Sequence, residues 1–362
     1  MSFIPYIYEL QIIMAKQKIN LKQHLLEDIR LHPNSSSKEI DDRLKGLVGY
    51  ATVKRTIQLL LTERLIEALG KGKATKYIIS KAFELINPID VDHYFQKEID
   101  ERQIKTQFNH ALITETLGNI SVFTAQELKY LNDLQNLFAQ NISTLSPSEY
   151  KKEFERLAID LSWKSSQIEG NTYSLLETER LLKEQQTAAG KTKDEASMLL
   201  NHKAALDFIL EDPDYLNPLT TTRIEDIHSI LIKDLGVTRN VRNRKVGISG
   251  TNYQPLDNEF QIKEVLNDTC ALINKHENVF EKSLLALVLL SYIQPFADGN
   301  KRTARIVSNA LLITHNYCPI SFRTVDSIDY KKAMLIFYEQ NNLSAFKKIF
   351  IEQFEFAVKT YF

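Results

Sequence analysis

A chain of 362 residues, 43% hydrophobic and 25% charged, has the composition of an ordinary soluble globular protein with room for more than one domain. Its formal net charge of −1 supplies no global field toward nucleic acid or membrane, so any such binding must be local. The two cysteines, Cys270 and Cys318, show no CxxC or Cys/His spacing, which argues against a disulfide framework or a zinc site and fits a reducing cytoplasm.

Residues 1–20 read as an N-terminal extension. The start lacks a basic segment and a small-residue cleavage site, so it is a poor signal peptide, and Met14 offers an alternative start. No apolar run reaches the roughly 20 residues that span a bilayer, so no membrane partner is expected. From residue 21 the pattern becomes helical. Leu21 to Leu31 is amphipathic and ends at His32-Pro33, and Ser35-Ser36-Ser37 caps a second short helix. Tyr50 to Glu63 forms a third, with Val53, Ile57, Leu60 and Leu61 inward. Leu65 to Leu69, the Gly/Lys-rich stretch 70–75 and Lys76 to Ile79 then read as strand, turn, strand.

Three helices and a basic hairpin over 21–80 resemble a winged helix-turn-helix. Between Tyr50 and Ser80 there are six Lys/Arg against two acids. Lys54 and Arg55 are candidates to enter a major groove, and Lys71, Lys73 and Lys76 to touch phosphates, with double-stranded DNA as the implied partner. A winged helix used only for protein contact is the other reading.

Residues 81–120 read as a linker with short helices, 121–215 as an N-terminal helical part and 216–362 as a core. Helices are expected over Ala125–Gln140, Ser148–Ser165, Ser174–Lys183, Asp194–Leu210, Thr221–Leu231, Phe260–Lys275, 283–293, 301–314, Ser327–Glu339 and Ser344–Tyr361. Residues 244–255 break the pattern and read as a short β-hairpin lying over the helical body. Pro295 should end the apolar helix at Gln294. Asp298-Gly299-Asn300 then offers a turn and an N-cap to a helix that carries Lys301, Arg302 and Arg305. Free backbone N–H groups beside three cations make a place for a polyphosphate.

Pro295-Phe296 followed by Asp298-Gly299-Asn300-Lys301-Arg302-Thr303-Ala304-Arg305 resembles the signature of the Fic (filamentation induced by cAMP) family, whose usual pattern is His-Pro-Phe-x-Asp/Glu-Gly-Asn-Gly/Lys-Arg-x-x-Arg. The resemblance runs over roughly residues 120 to 355. It implies a mainly α fold, an all-helical bundle with a short hairpin flap behind the small winged-helix domain. It also implies transfer of AMP from Mg-ATP to a Ser, Thr or Tyr hydroxyl of a target protein. Asp298 would hold Mg²⁺, Gly299, Asn300 and Lys301 would meet phosphate, and Arg302 and Arg305 the β- and γ-phosphates. Val246, Gly247, Ile248, Ser249 and Gly250 fall where the family has its target-docking flap. Ser165, Glu169 and Gly170 match its inhibitory helix, with Glu169 set to pair with Arg305. Similar proteins are often dimers, so a homodimer is an open assembly state.

One position departs from the pattern. Gln294 stands where the family has the histidine that takes the proton from the attacking hydroxyl. A carboxamide oxygen is too weakly basic for that, and general-base help is worth roughly 10²–10⁴-fold. Two readings follow: an adenylyltransferase, autoinhibited and with weak or absent activity, or an inactive nucleotide-sensing regulator that binds DNA. The other histidines offer no obvious replacement, and His228, among Ile224, Ile227 and Leu231, reads as a satisfied buried residue.

Overall fold

The computed structural model describes residues 21–44 and 47–362, so the expected N-terminal extension lies outside the described residues. The chain divides into two compact units, residues 1–87 and 88–362.

In the first unit, α1 (Leu21–Leu31), α2 (Ser37–Leu44) and α3 (Tyr50–Thr62) precede β1 (Ile66–Leu69) and β2 (Lys76–Ile79), and α4 (Lys81–Ile86) follows. Leu25, Ile29, Ile40, Val53, Ile57 and Leu60 are buried, the inward stripes that the 3.6-residue period demands. β1 and β2 pair antiparallel, Ile66 opposite Ile79 and Leu69 opposite Lys76, and Ser35 bridges to Tyr77. Lys54, Arg55 and Lys71 are exposed, with the Lys54 ammonium 4.6 Å from the Tyr50 ring centroid. The Lys73 side chain lies outside the described residues.

The second unit is helical: α5 (Val91–Tyr94), α6 (Ala125–Ser143), α7 (Pro147–Ile168), α8 (Leu175–Glu184), α9 (Lys193–Glu211), α10 (Thr221–Leu231), α11 (Glu259–Lys275), α12 (Val279–Ile293), α13 (Asn300–Thr314), α14 (Ser327–Gln340) and α15 (Ser344–Tyr361). Its axis is α12, where the unbroken run from Leu284 to Leu290 is buried on every side, as a helix apolar all round must be. Around it pack α11, α13 and α14, while α7, α9 and α10 close over the other face of α13. Among the described residues no helix is long and apolar enough to cross a membrane.

Local chemistry sets the element ends. Ser146, with Pro147 next and Glu149 three residues on, makes a capping box for α7, and Thr124, Ser174 and Thr192 do the same for α6, α8 and α9. α7 runs on to Ile168, leaving Glu169 as its C-cap. Of the stretch read as a linker, 81–120, the part from residue 88 on packs on the body of the second unit. Tyr94 donates to Glu339 at 2.6 Å, Lys105 N–H donates to the Glu339 carbonyl, and Leu112, Ile113 and Leu117 are buried.

The expected hairpin over 244–255 does not form. No ladder joins its two arms, and the later arm instead pairs with an earlier segment, Gln254 N–H donating to the Thr106 carbonyl at 2.8 Å. The edge that would have closed a hairpin is already taken.

Leu287, at 0% exposure in the middle of α12, tests the packing. Leu287→Ala is expected to lower unfolding free energy by about 2–5 kcal/mol, read from chemical denaturation; a loss below about 1 kcal/mol would contradict this account of the core.

Candidate functional site

The site forms where α12 hands over to α13. Gln294 ends α12 in a left-handed conformation, φ +51, and its Nε2 donates to the Ser291 carbonyl at 2.6 Å. Pro295, without an N–H, cannot extend the helix. The chain then closes on itself: Asn300 Oδ1 accepts from Phe296 N–H at 2.7 Å, and its Nδ2 donates back to the Phe296 carbonyl at 2.8 Å. Asn300 is the first residue of α13, not its N-cap, and its carboxamide ties the loop, with its backbone N–H and second amide hydrogen not used in that closure. The cap is Gly299, at φ +78, where a Cβ would meet Ile232 at 3.3 Å and His228 at 3.4 Å. Both conformation and space require glycine there.

His228 explains that crowding. It is buried on α10, stacked on Phe296 with ring centroids 3.7 Å apart, Nε2 is 3.0 Å from the Asp298 carbonyl and Nδ1 3.0 Å from the Arg239 carbonyl. The expectation of a buried histidine holds, and the neutral ring, with one N–H, can donate to one of these two carbonyls at a time while it supports the loop. Burial pushes its pKa below the ordinary histidine value.

Arg242 gave no sequence signal. It is 3% exposed, and its Nε donates to the Gln294 carbonyl at 2.7 Å, its Nη1 to Arg244 and its Nη2 to Leu256. Its backbone N–H donates to the Pro295 carbonyl. One guanidinium thus ties both ends of the 244–255 segment to the α12–α13 junction. A fork of fixed N–H directions suits such a set of carbonyls, which an ammonium would not match.

These parts enclose a cavity of about 550 Å³. Its floor is Gln294 with Ala297 to Arg302, one wall is Val246 to Gly250, another is Tyr330, Lys331, Met334, Leu335 and Tyr338 of α14, and Ile168 with Glu169 close the far end. Sequence reasoning brought the floor, the 246–250 segment and Glu169 to one place, and missed the α14 wall. Tyr330, Met334 and Tyr338 recur every four residues and so look like an ordinary core stripe.

Charge is concentrated on the floor. Arg302, 2% exposed, pairs with Asp298 at 3.1 Å, whose own side chain is two-thirds exposed. Arg305 lies behind the cavity, fully buried, and not on its lining. Its Nε donates to Ser165 Oγ at 2.8 Å, and its Nη2 to the Ser165 carbonyl at 2.9 Å and to Glu169 Oε1 at 2.7 Å. Among the described residues its Nη1 has no hydrogen-bond partner. Lys301 Nζ stands 3.6 Å from Glu169. Burial alone would raise the Glu169 pKa, but Arg305 and Lys301 hold it below the usual glutamate value. Gly170, at φ +100, turns the chain away directly after Glu169. No group of three or more His, Cys, Asp or Glu side chains able to hold a metal occurs among the described residues. Asp298 alone with phosphate oxygens suits Mg²⁺, which keeps most of its waters and takes one or two carboxylates.

The cations bear on stability as well. His202 of α9 is fully buried with neither ring nitrogen partnered among the described residues, and burial with Arg305 and Arg302 nearby holds its pKa well below 6.5. With the folded value depressed, the unfolded chain takes up the proton first. Stability should therefore be full above pH 6.5 and fall as pH drops below it, by up to about 1.4 kcal/mol per pH unit for each histidine held neutral. Unfolding free energies measured down to about pH 5 should show a shallower slope in His202→Gln; an unchanged slope would remove His202 from the account.

The chain is similar to known proteins. Residues 218–312 match the Fic/DOC family model. Protein adenylyltransferase Fic of Nematostella vectensis is 28% identical over 172 residues, 46% of this chain and 40% of that protein. Protein adenylyltransferase fic-1 of Caenorhabditis briggsae is 24% identical over 221 residues, 59% of this chain and 43% of that protein. The chain thus spans less than half the length of these relatives. Among solved structures, Fic-1 (residues 134–508) from C. elegans superposes with a TM-score of 0.58 at 20% identity, over 66% of this chain and 72% of that one. A Fic domain containing signaling protein from Bacteroides thetaiotaomicron superposes with a TM-score of 0.54 at 18% identity, over 64% and 95%. Residues 218–312, α10 to α13 with the 244–255 segment between, are thus similar to the Fic/DOC family, and the helical unit that holds them has the Fic fold.

Proposed function

We propose that this chain binds Mg-ATP in the 550 Å³ cavity and belongs to the protein AMP-transfer class, held in an inhibited state by Glu169 and short of a proton acceptor at Gln294. The observation that carries the reading is the floor: the N-terminus of α13, Lys301 and Arg302 converge where a polyphosphate would lie, with Asp298 exposed beside them. AMP transfer needs little covalent help from the protein; it needs a triphosphate held in line and its charge neutralised. Mg²⁺, when bound, would offset phosphate charge and polarise the oxygens, and Asp298 is the carboxylate that would hold it.

In the reaction a target hydroxyl oxygen bonds to the α-phosphorus, the bond to the bridging oxygen of the β-phosphate breaks, and pyrophosphate leaves. The hydroxyl proton needs an acceptor. Gln294 has none to offer: its Nε2 is engaged with Ser291 and its amide oxygen is scarcely basic, so it orients a hydroxyl without taking its proton. Glu169 supports the inhibited reading, since its carboxylate fills a hydrogen-bonding position of Arg305 that a terminal phosphate would use. Val246 to Ser249, which line the cavity beside the floor, are the edge along which a target segment would lie.

A second reading rests on the first unit, where Lys54, Arg55 and Lys71 are exposed near the hairpin. There the chain is a nucleotide-binding regulator that meets duplex DNA through a winged helix. Lys54→Ala with Arg55→Ala should then weaken binding to duplex DNA and reduce the salt slope by about two. Absence of binding to any duplex at low salt would retire this reading.

Two measurements address the first. Glu169→Gly should raise ATP affinity at least about tenfold by calorimetry, about 1.4 kcal/mol, by freeing Arg305; equal affinity would contradict the inhibitory role. With α-labelled ATP, Gln294→His in the Glu169→Gly background should raise label transfer by roughly 10²–10⁴ over Glu169→Gly alone. Comparable transfer without the histidine would show that Gln294 is not the deficit.

A further inference from the structure

The 244–255 segment, which carries the wall Val246 to Gly250, is held from two sides. Arg242 grips its ends from within. From without, the stretch 98–107 runs along it. Asn252 donates to Asp100 at 3.1 Å, Gln254 donates to Thr106 at 2.8 Å, and Arg102 Nη2 donates to the Gly250 carbonyl at 2.8 Å. Arg102 is the centre of this strap. Its side chain is 3% exposed and faces the fully buried Glu339 of α14 at 3.1 Å, Tyr94 donates to the same carboxylate, and the Phe95 ring lies under the guanidinium at 5.1 Å.

A buried Arg–Glu pair adds little stability over apolar residues of equal volume, because desolvation offsets the attraction. It does fix a direction. With one side of the guanidinium set against Glu339 and its face on Phe95, the planar fork aims Nη2 at Gly250. Gly250 itself is at φ +87, and a Cβ there would stand 3.4 Å from Leu335. So the carbonyl that Arg102 holds belongs to a tight turn seated on the α14 wall, and Glu339 comes from the same helix as that wall.

We propose that Arg102 is a positioning residue for the cavity, the pin by which the 98–107 strap sets the Gly250 turn against α14. The inference deepens the reading of 246–250 as the wall beside a nucleotide. It has a consequence for what that wall can accept. Gln254, on the later arm, is already paired with the strap, whereas among the described residues Val246 to Ser249 make no backbone hydrogen bonds, so an incoming extended segment has the earlier arm to add to.

Hydrogen exchange read by mass spectrometry on the full chain without nucleotide tests this directly. Arg102→Lys keeps a charge against Glu339 but loses the fork. It should speed exchange over 250–254, where the Tyr253 and Gln254 amides have acceptors, about tenfold or more while 279–314 is unchanged and the melting temperature stays close to wild type. Asp100→Ala with Asn252→Ala, which removes an exposed contact, should give a smaller increase confined to 250–254. Unchanged exchange over 250–254 in Arg102→Lys would overturn the proposal. So would faster exchange throughout the unit in step with a fall in melting temperature, which is the signature of a stabilising residue only. ATP titration of Glu169→Gly with and without Arg102→Lys separates the two readings. Weaker binding with the lysine supports the pin, and equal binding counts against it. No ATP binding to Glu169→Gly itself removes the nucleotide reading and leaves the exchange result to decide on Arg102.

Discussion

The carboxamide of Asn300 closes on the backbone of Phe296 in both directions, and the rest of the site depends on that closure. It fixes a five-residue turn between two long helices, one buried on all sides and one half polar. Without it, Pro295 would end α12 but nothing would aim the N-terminus of α13. His228 beneath and Arg242 beside the turn share the task, each by hydrogen bonds with backbone carbonyls. The result is a helix terminus whose free N–H groups face a cavity, which is a preference for anions written into the backbone rather than into any one side chain.

Side chains then set the balance of charge. Arg302 and Arg305 are buried to a degree that no guanidinium reaches without partners. Arg302 has a local one in Asp298, one turn earlier on the same stretch, whereas Arg305 takes its partners from α7, 136 and 140 residues away in the chain. That difference matters. The Asp298 contact survives any movement of α7, but the Glu169 contact requires α7 to stay. A ligand that offers phosphate oxygens to Arg305 competes with Glu169, and the free energy at stake is that of one charge-assisted hydrogen-bonded pair shielded from water. Gln294 is independent of this competition, since it is held by Ser291 and Arg242 on the opposite side of the floor.

Much of this was legible in the sequence because the informative signals are local. Gly299-Asn300 with three cations in the next turn, the apolar run before Pro295, and Ser165 with Glu169 four residues apart all depend on neighbours within a helical turn or two. What sequence reasoning missed depends on distant pairings. The expected hairpin over 244–255 failed because alternation along a strand does not say which edge it meets, and here Thr106 and Gln107 reached the later arm first. Asn300 looked like an N-cap because that residue type usually caps; the left-handed Gly299 took the role and freed the carboxamide to tie the turn. Arg242 and Arg102 carried no signal because a sequence does not show that their acceptors will be backbone carbonyls of one segment. The α14 wall was hidden for the same reason that core stripes are: its period is that of any buried helix face.

The central claim is that the cavity is a triphosphate site and that Glu169 stands where the last phosphate would go. A crystal structure of Glu169→Gly soaked with Mg²⁺ and a non-hydrolysable ATP analogue tests it most directly. The account predicts the α-phosphate at the N-terminus of α13 beside Gly299 and Lys301, Mg²⁺ against Asp298, and the terminal phosphate on Arg305. A nucleotide bound elsewhere on the chain, or phosphates turned away from α13 with Arg305 still closed on Ser165 alone, would contradict it.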